Sequence, residues 1–165
     1  MSDFPGKSVM VLGGSRSIGA AIVRHFTAGE KISFSYSGSP DAAGAMAAAG
    51  ALDIMVINAG VAIMGDPLTL DPDAVDRLID INVRAVYFAG VEAGRLMHNN
   101  GRIIIIGSVN GDRVPGPGAT AYALSKSAVQ GIGRGLARDF GPRGITVNVV
   151  QPGPVDTRLV ARWPR

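Results

Sequence analysis

The 165-residue sequence contains no cysteine. Disulfides, thiolate metal sites and a cysteine nucleophile are excluded at once. Histidine is nearly as scarce: His25 and His98 are the two in the chain, far apart and at no ligand spacing to a carboxylate cluster. They read as helix-surface residues, and no metal site is expected. Charge is sparse as well. Charged residues make up 18% and leave a formal net charge of +3, too small and too evenly spread to indicate a nucleic-acid partner. Such a weak positive balance suits a phosphorylated small molecule. No apolar run approaches the roughly 18 residues of a membrane span, and the opening "MSDFPGKSVMVLGG" lacks a signal-peptide pattern. The expected setting is the cytoplasm, away from membranes.

Apolar residues are plentiful at 47%, enough for a compact fold, and the length suits one domain. Segments rich in β-branched residues occur at 8–14, 31–36, 52–58, 102–107 and 145–151. They are too uniformly apolar to have a wet face and read as strands buried on both sides. Between them, 17–29, 40–50, 71–97 and 119–140 carry helical spacing of apolar residues. Asp71 and Pro72 supply an N-cap with proline at the first helical position, and Gly29 and Gly141 stand where left-handed C-caps belong. Strand and helix in alternation predict an α/β fold, a doubly wound parallel sheet of Rossmann type, with a nucleotide site at the carboxyl ends of its strands.

Directly after the first strand comes "GGSRSIG", Gly13 to Gly19, opening a helix. Glycine there allows a tight turn and close approach of phosphate, and the free N–H groups of the helix start hold the anion. Alone, this is also how an ordinary strand-to-helix turn looks. With "NAG" at Asn58, Ala59 and Gly60, "GS" at Gly107-Ser108, "YALSK" at Tyr122 to Lys126 and "QPGPVDT" at 151–157, it stands in the order found in short-chain dehydrogenases/reductases, which the chain resembles. That family's loop reads T-G-x-x-x-G-x-G. Leu12 replaces the threonine, and Ser17 replaces the middle glycine, adding a Cβ that disfavours positive φ and a hydroxyl able to donate to phosphate. Ile57 stands where many members have asparagine.

The resemblance implies a tetrad of Asn82, Ser108, Tyr122 and Lys126. A tyrosine and lysine four residues apart share one helix face, as do many surface pairs. As the family's couple, Tyr122 exchanges the proton of a carbonyl or alcohol, and Lys126, through its ammonium, lowers the phenol pKa from about 10. Lys126 would also bond the nicotinamide ribose. Ser108 would orient the carbonyl, although it could equally cap a turn, and Asn82 would hold a water linking lysine to solvent. Implied cofactor contacts are Gly13, Ser15, Arg16, Ser17, Ile18, Gly19, Asn58, Ala59, Gly60, Tyr122, Lys126, Pro152, Gly153 and Thr157.

No acid ends the second strand before Asp41, and Arg16 offers a guanidinium suited to phosphate. The cofactor expected is NADP(H), with Ser37 and Ser39 as further phosphate contacts and Asp41 starting the next helix. The substrate would be a small carbonyl or alcohol, and Asn110 and Arg113 beside Ser108 would favour a polar one. Helices 71–97 and 119–140 resemble the family's oligomer-forming pair, so a homodimer or homotetramer is expected.

The chain is read as a single domain over 1–165. Family members carry a further strand-helix unit that would fall near residues 50–51, and a lid and strand after 165; the expectation is a longer protein with further segments at both places. The texture of 107–154 resembles that of a bacterial subgroup with a cyclic-di-GMP-binding member. A regulator that binds a cyclic dinucleotide on the same scaffold is therefore the alternative function.

Overall fold

The computed structural model describes residues 4–26, 31–35 and 50–155. Five strands form one sheet: β1 (Ser8–Leu12), β2 (Lys31–Phe34), β3 (Leu52–Ile57), β4 (Met97–Ile106) and β5 (Thr146–Val150). They are parallel throughout and ordered β2-β1-β3-β4-β5. The helices are α1 (Ser17–His25), α2 (Pro72–Ile79), α3 (Ala85–Leu96) and α4 (Thr120–Phe140). The α/β reading is therefore correct. The segment 40–50, read as a helix, lies outside the described residues apart from Gly50, as do Gly29, Ser39 and Asp41.

Burial on both faces holds for the central strands, where Met10, Val11, Leu52 and Met55 are fully enclosed. It does not hold at the rims. β2 and β5 are the outer strands of the described sheet, and Phe34 and Val150 remain about half exposed, at 47% and 49%. β4 also begins earlier than its apolar run suggests. Leu52 already pairs with Met97, and the register then jumps so that Ile54 faces Arg102. The polar residues between form a bulge in which Asn100 takes φ 64°.

Asp71 caps α2 as expected: its Oδ1 accepts from the Asp73 N–H at 3.0 Å, and Pro72 follows. The helix expected over 71–97 is not continuous, because Asp80–Arg84 forms a π-helical turn between α2 and α3. Gly141 does not terminate α4 in a left-handed conformation. It stays right-handed at φ −49°, and the reversal comes at Gly144, φ 68°. Pro142 is the reason, since its fixed φ suits another right-handed turn and the chain adds Gly141–Arg143 before turning back.

Two apolar layers flank the sheet. On one side α3 and α4 pack with Met10, Met55, Ile57, Ile103 and Ile105, and on the other α1 covers Val9, Val11, Ile54 and Val56. The two long helices approach closely because α3 presents Gly90, where a Cβ would lie 2.5 Å from Leu136 Cδ1. The chain leaves β1 for β2 on one side and later returns to β3 on the other. The strand order thus switches direction between β1 and β3, which is where a ligand crevice is expected at the carboxyl edge of such a sheet.

Candidate active site

The first wall of the crevice is the turn from β1 into α1. Gly13 has φ 79°, and its carbonyl accepts from Asn58 Nδ2 at 2.9 Å, which fastens this turn to the loop after β3. Ser15, Arg16 and Ser17 are exposed, Ile18 is half-buried and Gly19 is buried. Arg16 occupies the N-cap of α1 without a side-chain cap bond. Ser17 departs from expectation: despite its Cβ it adopts φ 51°. That left-handed conformation carries a local cost of about 1 kcal/mol. A groove of about 620 Å³ runs from Ser17 and Ile18 past Ile22 to Ile106, Val150 and Pro152.

The second wall is Asn58-Ala59-Gly60. A Cβ on Gly60 would lie 3.2 Å from Asn82 Oδ1 and 3.7 Å from Lys126 Nζ, so the lysine amine comes up directly beneath this backbone. Ile57, in place of an asparagine, is buried in the core. Ser37 and Thr157 lie outside the described residues. Pro152 is held through its carbonyl, which accepts from Val109 N–H at 3.1 Å, and Gly153 is exposed.

Asn82, Ser108, Tyr122 and Lys126 come together beside the second wall, with Asn82 and Lys126 directly beneath Gly60. Ser108 follows β4 and caps a turn, as the plainer of its two readings expects. Its Oγ accepts from the Asn110 N–H at 3.2 Å, capping a short 3-10 turn, and its hydroxyl also hydrogen-bonds the Tyr122 phenol. Tyr122 and Lys126 are both buried on α4, with Lys126 Nζ 5.8 Å from the tyrosine ring centroid. That amine donates to the Ile106 carbonyl at 3.1 Å. Asn82, fully buried in the π turn, donates to the Val61 carbonyl (2.8 Å) and Ser125 Oγ (3.1 Å) and accepts from the Val61 N–H (2.9 Å). A π turn inside a helix at such a place is common at functional sites. Beside them, Asn110 is buried and Arg113 exposed.

One electrostatic expectation is reversed. Burial raises the Tyr122 pKa, and the opposing influence is the Ser108 hydrogen bond rather than the Lys126 charge. The desolvation that protects the phenol also falls on Lys126, whose pKa drops from 10.5 to about 8.

That depression predicts an unusual pH profile of stability. Between pH 8 and 10 the unfolded lysine binds a proton that the folded one has shed, so stability rises with pH. Above about 10 the trend turns, because the folded Tyr122 retains a proton that the unfolded phenol loses. At pH 7 the charged amine costs roughly 3 kcal/mol. Lys126→Met removes that cost and leaves the Ile106 carbonyl without its donor, worth about 1 kcal/mol. The variant is expected to be about 1–2 kcal/mol more stable at pH 7 and to lose the rise between pH 8 and 10. Urea unfolding across that range reads both effects; a flat wild-type profile would contradict them.

Ser125 is a residue beside the tetrad that sequence reasoning missed. It is fully buried, and its Oγ donates to the Tyr122 carbonyl at 2.7 Å while accepting from Asn82. The available signal was its place three residues after Tyr122 and one before Lys126, on the same helix face.

Comparisons with known proteins give the family and the fold. Residues 40–165 match the sequence model of the family described as short chain dehydrogenase. The cyclic-di-GMP-binding biofilm dispersal mediator protein of Escherichia coli (strain K12) is 56% identical over 181 residues, covering 95% of this chain and 76% of that protein. That aligned stretch is longer than the 165 residues of this chain, so the relative has residues between matched positions that this sequence lacks. The crystal structure of BdcA in complex with NADPH superposes with a TM-score of 0.89 at 54% identity, over 98% of this chain and 76% of that one. A short chain dehydrogenase from Burkholderia cenocepacia J2315, in complex with NADP, gives a TM-score of 0.85 at 39% identity, over 94% and 77%.

Proposed function

Because this chain belongs to the short chain dehydrogenase family, a family of oxidoreductases, we propose that it is an NADP(H)-dependent reductase or dehydrogenase acting on a carbonyl or alcohol. The observation that carries this reading is the convergence of Ser108, Tyr122, Lys126 and Asn82 beneath the Asn58–Gly60 loop. The residues present fit a dinucleotide. Gly13 and Gly60 keep the backbone free of side chains where the loops meet, and Ser15, Arg16 and Ser17 are exposed at the start of α1. The exposed first turn of α1 would take the pyrophosphate, Arg16 the 2′-phosphate, and Lys126 the nicotinamide ribose. Bound NADPH supplies hydride from nicotinamide C4 to a carbonyl carbon. Tyr122 then gives its phenolic proton to the carbonyl oxygen, completing the alcohol, and Ser108 holds that oxygen in place. Asn82 and Ser125 keep the lysine helix seated against the Val61 backbone.

Exposed Tyr87 and Phe88 on α3 and Leu124 on α4 fit the expected homodimer or homotetramer, formed through the long helices. Among the described residues no helix is long and apolar enough to cross a membrane, and no group of three or more candidate ligands for a metal occurs.

The 56% identity to a cyclic-di-GMP-binding protein favours one second reading, a cyclic dinucleotide bound on the same scaffold. Thermal shift separates the two, since a ligand that binds the native state raises its melting temperature. NADPH at a hundredfold excess over Kd is expected to raise it by about 5–10 °C. No shift with NADPH and a shift with cyclic-di-GMP would exchange the readings.

A further inference from the structure

Three side chains outside the tetrad tie its loops to the helix of Tyr122. Gln130 of α4 donates through Nε2 to Asp112 Oδ1 at 3.0 Å and to Gln151 Oε1 at 2.9 Å. Gln151 donates through Nε2 to Asp112 Oδ2 at 3.0 Å, closing a ring. Asp112 ends the 3-10 turn that Ser108 caps, and Gln151 directly precedes Pro152. Backbone links run alongside: Gly107 N–H donates to the Val150 carbonyl at 2.8 Å, and Ser127 Oγ donates to the Gly111 carbonyl at 2.7 Å. A Cβ on Gly111 would lie 2.5 Å from Gln130 Nε2 and 3.0 Å from the Lys126 carbonyl, so this turn rests directly on α4.

We propose that the Asp112–Gln130–Gln151 ring is a clasp of positioning residues that fixes the Ser108 loop and the loop beginning at Pro152 against α4, and thereby shapes the cofactor site. The inference rests on the NADP(H) reading given above. The clasp has a strict chemical requirement, because its donors and acceptors can alternate in only one way. Gln130 uses a single atom for both of its bonds, whereas Gln151 uses its oxygen for one and its nitrogen for the other. With two oxygens at position 112, Gln130 must present nitrogen, Gln151 must turn its oxygen to Gln130, and its nitrogen then meets the second carboxylate oxygen. Every bond is satisfied, and both amide orientations are forced.

An asparagine at 112 breaks this alternation however the amides are flipped. If Gln130 presents nitrogen, asparagine must answer with oxygen, which leaves its NH₂ facing the NH₂ of Gln151. If Gln130 presents oxygen, the second contact becomes oxygen against oxygen. Glutamate at 151 fails in its own way, placing two carboxylates in contact. Combining the two changes repairs the ring, because the asparagine NH₂ then meets a carboxylate oxygen.

NADPH affinity, read by fluorescence, and the near-ultraviolet titration of Tyr122, isolated by difference from Tyr122→Phe, test the clasp in wild type, Asp112→Asn, Gln151→Glu and the double variant. Each single variant is expected to weaken NADPH binding about fivefold, at the low end for a mispaired polar group because Asp112 is exposed. The double variant is expected to return within about twofold of wild type. Loosening the Ser108 loop also removes a hydrogen bond that lowers the phenol pKa, so the Tyr122 titration moves to higher pH in the single variants and returns in the double. Lower melting temperatures with unchanged affinity and titration would make the ring merely structural and overturn the proposal. Additive losses in the double variant would overturn it too. Failure of the wild type to bind NADPH would instead remove the cofactor reading, and the titration would still judge the clasp.

Discussion

Tyr122→Phe is expected to lower carbonyl turnover about a thousandfold while leaving NADPH affinity within about twofold of wild type. Phenylalanine keeps the ring that fills the buried site and removes the O–H that meets the carbonyl oxygen. Burial raises the phenol pKa, so Tyr122 is fully protonated at neutral pH and suited to giving a proton during reduction. The reverse reaction needs a base and is therefore favoured only at alkaline pH. Because the aromatic contact with Lys126 survives, cofactor binding is spared, and the defect falls on kcat. NADPH oxidation with a series of carbonyl compounds reads turnover; a variant as fast as wild type would remove Tyr122 from its role as acid.

The largest effect on stability is expected from Gly19→Ala. A Cβ there would strike the Gly13 carbonyl oxygen, lie 2.9 Å from its carbon and 2.6 Å from Asn58 Nδ2. Two of these atoms are backbone, and the third is a side-chain amide pinned by its bond to the Gly13 carbonyl. Asn58 already donates to that same carbonyl, so the added methyl must separate α1 from β1 or break the bond that joins the two walls of the crevice. A loss of about 3 kcal/mol follows from overpacking combined with an unpaired, half-buried carbonyl. Gly135→Ala is the matched control. Its Cβ meets nothing within 4 Å on the exposed face of α4, and a gain of about 0.5–1 kcal/mol is expected there. Urea unfolding of both variants decides the matter, and a wild-type midpoint for Gly19→Ala would contradict the geometry.

Local patterns carried most of this architecture. The apolar strands and the Asp71-Pro72 cap have causes confined to neighbouring residues. The polar start of β4 escaped notice because its pairing is made across the sheet, with β3, and not within its own segment. Gly141 was a reasonable C-cap on composition, and the proline after it moved the reversal to Gly144. Within the site, Tyr122 and Lys126 are marked by the order of the motifs around them, since their helical spacing is shared by many surface pairs. The direction of the Tyr122 shift is not so marked, because it depends on how deeply the ring is enclosed. Ser17 shows the converse: its side chain predicts one backbone conformation, and the surrounding loop imposes another. Asp112, Gln130 and Gln151 are scattered in sequence and meet only through the fold.

The π turn at Asp80–Arg84 acts as a correction of phase. Leu78, Asn82, Val86 and Gly90 are all buried and recur every fourth residue. In an ideal α-helix each such step overshoots a full turn by about 40°, so three steps would carry the last residue about 120° around the axis, off the face of the first. A wider turn holds more residues per revolution and sets the rotation back midway. Asn82 can therefore point at Val61 and Ser125 while Gly90, two turns later, still meets Leu136. One continuous stretch of chain thus serves two neighbours whose directions a uniform helix would not reconcile.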